Sequence, residues 1–205
     1  PSTGLDKVNA KFLAEVKLSN HFTTGFSGNY VVSDLTKQSG ANNGIVATVI
    51  PAPASYDLAG IPSHIDGDPY TQNNYRAGTF DQAFWAIDNN LFAERNQRFF
   101  GNTFLKYTTA IGSNQTLDLK YQVGADSYST EYKDSWGWGS GVNRKGEITE
   151  QTYTSNEINS LFTAAYNWKI NSGMVLDVLV GNEIVDSKNK YVEAEKDETG
   201  KADWT

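Results

Sequence analysis

Residues 116–126, TLDLKYQVGAD, alternate without a break. The odd positions are Leu117, Leu119, Tyr121, Val123 and Ala125; the even ones are Thr116, Asp118, Lys120, Gln122, Gly124 and Asp126. Successive side chains of a strand point to opposite faces, so this stretch is a strand with one greasy and one wet face. The greasy face must be covered, either by the second sheet of a soluble sandwich or by lipid. That choice constrains everything else the chain can do.

The two-faced pattern recurs. Phe12, Ala14, Val16 and Leu18 oppose Lys11, Glu15, Lys17 and Ser19, with Leu13 the exception; Phe22, Phe26, Tyr30 and Val32 oppose Thr23, Ser27, Asn29 and Ser33. Phe99, Leu105 and Tyr107 oppose Arg98, Asn102, Lys106 and Thr108, with Phe100 and Phe104 interrupting the polar side. Phe162, Ala164, Tyr166 and Trp168 oppose Glu157, Asn159, Thr163, Asn167 and Lys169; residues 174–186 are more apolar on both sides, but Asp177, Gly181 and Glu183 share one face. Six strands are expected, over about 9–19, 22–36, 97–109, 115–130, 155–169 and 174–187.

The connections discriminate between the two covers. Short turns are expected near Ser19–His21, at AIGSNQ (110–115) and at INSG (170–173), all rich in turn residues. Long connections are expected over 37–96, over 131–154 and from 188 onward. A meander with this alternation gathers its short turns at one end and its long loops at the other, as outer-membrane barrels do. Aromatic residues near the strand ends fit two interfacial girdles: Phe22, Tyr107, Tyr166 and Trp168 at one end, Phe99, Phe100 and Tyr128 at the other. Composition agrees. Mean hydropathy is −0.51, and a barrel with a wet lumen and polar loops can be this hydrophilic. The formal charge of −7 argues against nucleic acid as a partner. No Cys is present, which removes disulfides and thiolate metal sites. The fold class expected is therefore all-β: an antiparallel meander forming part of a transmembrane β-barrel, with long extracellular loops and membrane lipid as its first partner. The alternative is a soluble β-sandwich that binds carbohydrate.

The stretch FAERNQRFFGNTFLKYTTAIGSNQTLDLKYQVGADSY resembles the barrel of the SusC/RagA-type TonB-dependent transporters of Bacteroidetes, through Arg95, Arg98, Gly101, Asn102, Tyr121, Asp126 and Tyr128. LSNHFTTGFSGNYVVSD is similar to an early barrel hairpin, and VIPAPASYDLAGIP to the proline-rich loop after it. NSLFTAAYNWKINSGMVLDVLVGNEI is similar to a later hairpin whose second strand ends near Gly181 and Glu183. The resemblance implies nutrient import, of glycans, oligosaccharides or peptides, across the bacterial outer membrane. It also implies a SusD-like surface lipoprotein as lid, and a TonB complex engaged through parts not in this sequence. Such barrels have roughly 22 strands, so residues 1–205 read as a segment of one, without its plug domain. Six strands are too few to close a barrel, so both edges of the sheet should need further strands.

Chemistry-bearing motifs are sparse, and neither an enzyme nor a cofactor is expected. His21 and His64 give no convincing nucleophile–base arrangement. Asp66 and Asp68 around Gly67 could offer oxygen ligands to Ca²⁺ but lack the EF-hand spacing. The run WGWGSG (136–141) has neither the strand–helix context nor the Lys of a phosphate loop. It reads as a flexible loop or as a sugar-stacking platform. The substrate-binding residues expected are the extracellular-loop aromatics Tyr75, Trp85, Trp136 and Trp138. Loop 37–96 is expected to fold over the extracellular mouth.

Overall fold

A computed structural model of the chain describes residues 3–40, 44–76, 78, 80–141 and 144–198. One antiparallel meander dominates it, made of β1 (Gly4–Lys17), β2 (Phe22–Lys37), β5 (Leu91–Ile111), β6 (Gln115–Trp136), β7 (Glu147–Asn171) and β8 (Met174–Asp197), in the order β1-β2-β5-β6-β7-β8. Between β2 and β5 lie α1 (Ile45–Val49), the small hairpin β3 (His64–Ile65) and β4 (Asp68–Gln72), and α2 (Ala83–Asn89). No described helix is long and apolar enough to cross a membrane.

The register carries the sequence alternation across all six strands. One row of facing residues runs Val16, Thr24, Leu105, Tyr121, Phe162, Asn182; another runs Ala14, Phe26, Thr103, Val123, Ser160, Ile184. The offset rows on the opposite face are mostly polar, as in Lys11, Asn29, Phe100, Asp126, Glu157, Ser187, where Phe100 is the exception. Because the side-chain period is two, a one-residue slip anywhere would mix the faces, so the pattern pins the register. The apolar face is bounded below by Phe22, Tyr107, Tyr166 and Trp168, and above by Tyr30 and Phe99. From Gln115 opposite Trp168 to Ser127 opposite Phe99, β6 advances roughly 40 Å at about 3.4 Å per residue.

No second large sheet covers that face among the described residues. The buried apolar side chains are Ala83, Trp85, Ala86 and Phe92, all at the loop end, while Phe12, Phe26, Leu105, Tyr121 and Phe162 stay exposed. The sandwich alternative is overturned for the described residues: a sandwich buries its inner faces against each other, and they form one large sheet with no second large sheet opposite it.

Strand length departs from expectation at the loop end. There β5 begins at Leu91 rather than near 97, β6 continues to Trp136, β7 begins at Glu147, and β8 runs to Asp197 rather than ending near Gly181 or in a loop from 188. The long loops shrink to 38–90 and 137–146. Beyond the apolar band both faces are polar, so the alternation disappears, yet backbone pairing continues from Thr152 with Val192 to Glu147 with Asp197. Phe100 and Tyr128 point to the polar face and so cannot belong to the upper girdle. Phe100 lies beneath the Arg98 guanidinium, 4.9 Å away, and Tyr128 pairs with the Tyr153 ring at 5.8 Å.

Glycine is required where strands and rings come closest. A Cβ on Gly101 would lie 2.3 Å from the Ser27 carbonyl oxygen, and one on Gly25 would lie 2.4 Å from the Phe104 ring. The far edge of the Phe104 ring thus reaches over the bare backbone of its cross-strand neighbour, filling the place of the missing side chain.

Candidate functional site

Two surfaces carry polar groups that converge: the polar face of the sheet, and the loop assembly at the end of the strands.

On the sheet, Arg98 of β5 clamps Asp126 of β6 through two hydrogen bonds, Nε to Oδ1 at 2.9 Å and a second from the other guanidinium nitrogen to Oδ2. This fork-to-fork geometry orients both groups. The diagonal placement follows from the register, in which Arg98 faces Tyr128 and Phe100 faces Asp126. Beside the pair a concavity of about 280 Å³ is lined by Ser27, Asn29, Asn102, Gln122, Asp126, Glu157 and Asn159. Amides and carboxylates there could hold a hydrated polar solute or a segment of polypeptide. Arg98, Gly101, Asn102, Asp126 and Tyr128 fall in this one region. Arg95 is on the other face with Asp34, 3.7 Å away.

Toward the loop end of the same polar face, Asp134 is partly buried and its Oδ1 has no hydrogen-bond partner. Burial raises its carboxyl above the ordinary value, and Lys37 pulls the other way. A carboxylate raised in the folded state binds more protons there than when unfolded, so it weakens the fold as pH climbs through the folded value. Asp134→Asn is expected to stabilise the protein at pH 7, with the gain vanishing below the unfolded carboxylate range. Urea unfolding of wild type and variant at pH 7 and pH 3 checks this. An equal gain at both pH values would refute it.

The loop assembly is organised by Asp81, 4% exposed. Its Oδ1 accepts from Gln72 Nε2 at 2.7 Å and the Gly141 amide at 2.6 Å; its Oδ2 accepts from Asn90 Nδ2 and Ser140 Oγ, both at 2.9 Å. The Asp81 carbonyl also accepts from Thr48 Oγ1 at 2.6 Å. Asn90 in turn accepts from the Gly137 amide at 2.9 Å. Asp81 and Asn90 bracket α2, so the two ends of that helix fasten segment 137–141 to loop 38–90. A fully buried carboxylate is tolerable when its lone pairs meet donors in this way.

The glycines of WGWGSG are explained by these approaches. A Cβ on Gly139, which has φ of +94°, would lie 2.0 Å from the Tyr70 carbonyl oxygen, and one on Gly137 would lie 2.6 Å from that of Asn89. Only glycine fits, and the segment is pinned rather than flexible. Asp66 and Gly67, with φ of 53° and 73°, form the β3–β4 turn that Asp-Gly favours. Asp68 is engaged locally, accepting from the Tyr70 amide at 3.1 Å and Thr71 Oγ1 at 2.7 Å.

The four expected aromatics all lie at the loop end, in four different settings. Trp85 is 1% exposed and donates its indole N–H to the Pro69 carbonyl at 2.6 Å, so it presents no face to solvent. Tyr75 is half-buried, its hydroxyl donating to the Thr48 carbonyl at 2.6 Å and its ring 5.0 Å from Tyr56. Trp136 belongs to β6 rather than to a loop and packs edge-on against Phe92 at 4.9 Å. Trp138 is half-buried in the second loop. A concavity of about 320 Å³ near them is lined by Tyr70, Asn74, Phe80, Ser140 and Arg144. Sequence reasoning missed Asp81, Gln72 and Asn90; an Asp two residues before a short helical run was the only local signal.

No family model matches the chain, and no curated protein does. Among solved structures it is similar to the RagAB peptide importer in its "closed-closed" state, with 15% identity and a TM-score of 0.74. It is likewise similar to the RagAB peptide transporter, with 16% identity and a TM-score of 0.74. In each case 98% of this chain is covered, and it spans only 22% of the length of the other. At such identity the likeness is one of fold: a six-stranded antiparallel segment of the kind found in those transporters.

Proposed function

We propose that this chain is a segment of the wall of an outer-membrane transporter. On this reading the apolar face meets lipid, and the polar face with its Arg98–Asp126 pair lines the interior. The carrying observation is the wide, uncovered apolar face bordered by aromatic rows. With a strand tilt of about 40° the rows stand roughly 30 Å apart, close to the apolar band of about 25 Å between the girdles of outer-membrane barrels. The strands continue beyond that band and end in the Asp81-centred cap, which would overhang the outer mouth.

In this proposal further strands pair with the free edges of β1 and β8, since lipid offers no hydrogen-bond partners to an open edge. The cargo is a peptide or oligosaccharide, met at the cap by half-buried aromatics such as Tyr75 and Trp138. Trp85 and Trp136 support the cap from within. A surface lipoprotein of the SusD type would sit over the cap, and energy would come through a TonB complex. The similar importers favour a peptide cargo.

The test uses the full-length polypeptide that contains these residues. It should fractionate with the outer membrane and show a heat-dependent gel shift, and cells lacking it should lose uptake of labelled oligopeptides or oligosaccharides. A folded, monomeric protein in detergent-free buffer would defeat the membrane reading. Unchanged uptake of both cargo classes by the deletion strain would defeat the transport reading.

A further inference from the structure

The upper part of β8 sorts its charges by face. Lys188, Lys190 and Lys196 project on the side of Val178, Val180 and Ile184, whereas Glu193, Glu195 and Asp197 project on the side of Asp177 and Glu183. Asp186 is the exception, paired with Lys188 at 3.8 Å in a well-exposed contact that contributes little. A strand that was merely solvated would have no reason to separate the signs.

Register places the lysines at a boundary. Lys188 faces Asn156, which faces Ser127, which faces Phe99, so Lys188 stands in the upper aromatic row. Lys190 stands one row above, with Thr154, Ser129 and Gln97, where the face has turned polar. Nearby cations on this face have carboxylates: Arg95 with Asp34 and Lys133 with Glu150, each at 3.7 Å. Lys190 has no ion pair among the described residues.

We infer that Lys188 and Lys190, with the hydroxyl of Thr154 and the amide of Asn156 beside them, hold the phosphate of an anionic lipid headgroup at the upper rim of the apolar face. The inference rests on the proposal that this face meets lipid. Lysine stems lie along apolar surface while their ammonium groups reach the headgroup level. An anionic membrane surface attracts each such Lys by an amount that, for two, corresponds to about thirtyfold in affinity.

The experiment takes the full-length protein in detergent and measures retention of phosphatidylglycerol against phosphatidylcholine by native mass spectrometry. The Lys188→Gln/Lys190→Gln variant should bind phosphatidylglycerol about thirtyfold more weakly, and phosphatidylcholine, whose choline offsets the phosphate charge, far less changed. Lys188→Arg/Lys190→Arg should restore binding, and Lys11→Gln on the polar face should leave it alone. Equal lipid retention by wild type and the Gln variant would overturn the site. Displacement of the lipid by millimolar inorganic phosphate would assign the lysines to a free anion instead. The heat-dependent gel shift of each variant reports membrane assembly separately, so failure of the membrane reading is not confused with failure of this site.

Discussion

Leu119→Arg, close to the lower aromatic border, is expected to cost about 1–3 kcal/mol of assembled-state stability, whereas Gln122→Arg, three residues along the same strand, should cost far less. Leu119 lies within the apolar face, with Tyr107 and Ala164 as its cross-strand neighbours. A guanidinium there would have to leave water for hydrocarbon or drag water in with it. Gln122 lines the polar concavity with Asn102, Asp126 and Glu157, where an added cation finds carboxylates. Both sites lie within β6 and receive the same residue, so strand propensity cancels in the comparison and the difference reports the medium each face meets. Urea titration of the heat-dependent gel shift in lipid vesicles measures it. Equal effects at the two positions would remove the lipid assignment.

Asp81→Ala should cost the cap about 3–5 kcal/mol. Four donors converge on the carboxylate, from Gln72, Asn90, Ser140 and Gly141. Truncation removes that shared acceptor; Gln72 Nε2 keeps a second one, the Gly139 carbonyl at 2.9 Å, but a buried donor left unpaired costs more than a made hydrogen bond contributes. The expected result is local. Segments 38–90 and 137–146 become protease-sensitive, while the sheet, whose ladder does not involve Asp81, keeps its gel shift. Asp81→Asn should be milder, because one oxygen still accepts from Gln72 and Gly141. Unaltered proteolysis of Asp81→Ala would mean that the loops hold together by other contacts.

Legibility in the sequence followed the chemistry of each face. From Leu117 to Ala125 one side is apolar and the other polar, and the other strands follow the pattern with interruptions such as Leu13, Phe100, Phe104 and Leu179, so six strands and their facing could be read directly. The alternation fails where both faces are wet: EQTYTSNE and KNKYVEAEKD carry no two-fold hydrophobic signal, yet they extend β7 and β8. There backbone pairing with an already formed neighbour determines the strand. Phe100 and Tyr128 show the opposite limit. Their position in the chain fits a girdle, but parity turns them to the polar face, against Arg98 and Tyr153.

The sequence by itself determined the antiparallel meander, the two faces and the alternation of short turns with long loops, because all three follow from local periodicity and turn chemistry. The tertiary structure alone decided that the two long loops form one cap. Asp81 lies 59 and 60 residues from the Ser140 and Gly141 donors it meets, and Gly139 is glycine because Tyr70, far away in the chain, needs the space of its Cβ. Such pairings are set by where the ends of β2, β5, β6 and β7 bring the loops together, and no pattern within either loop encodes its distant partner.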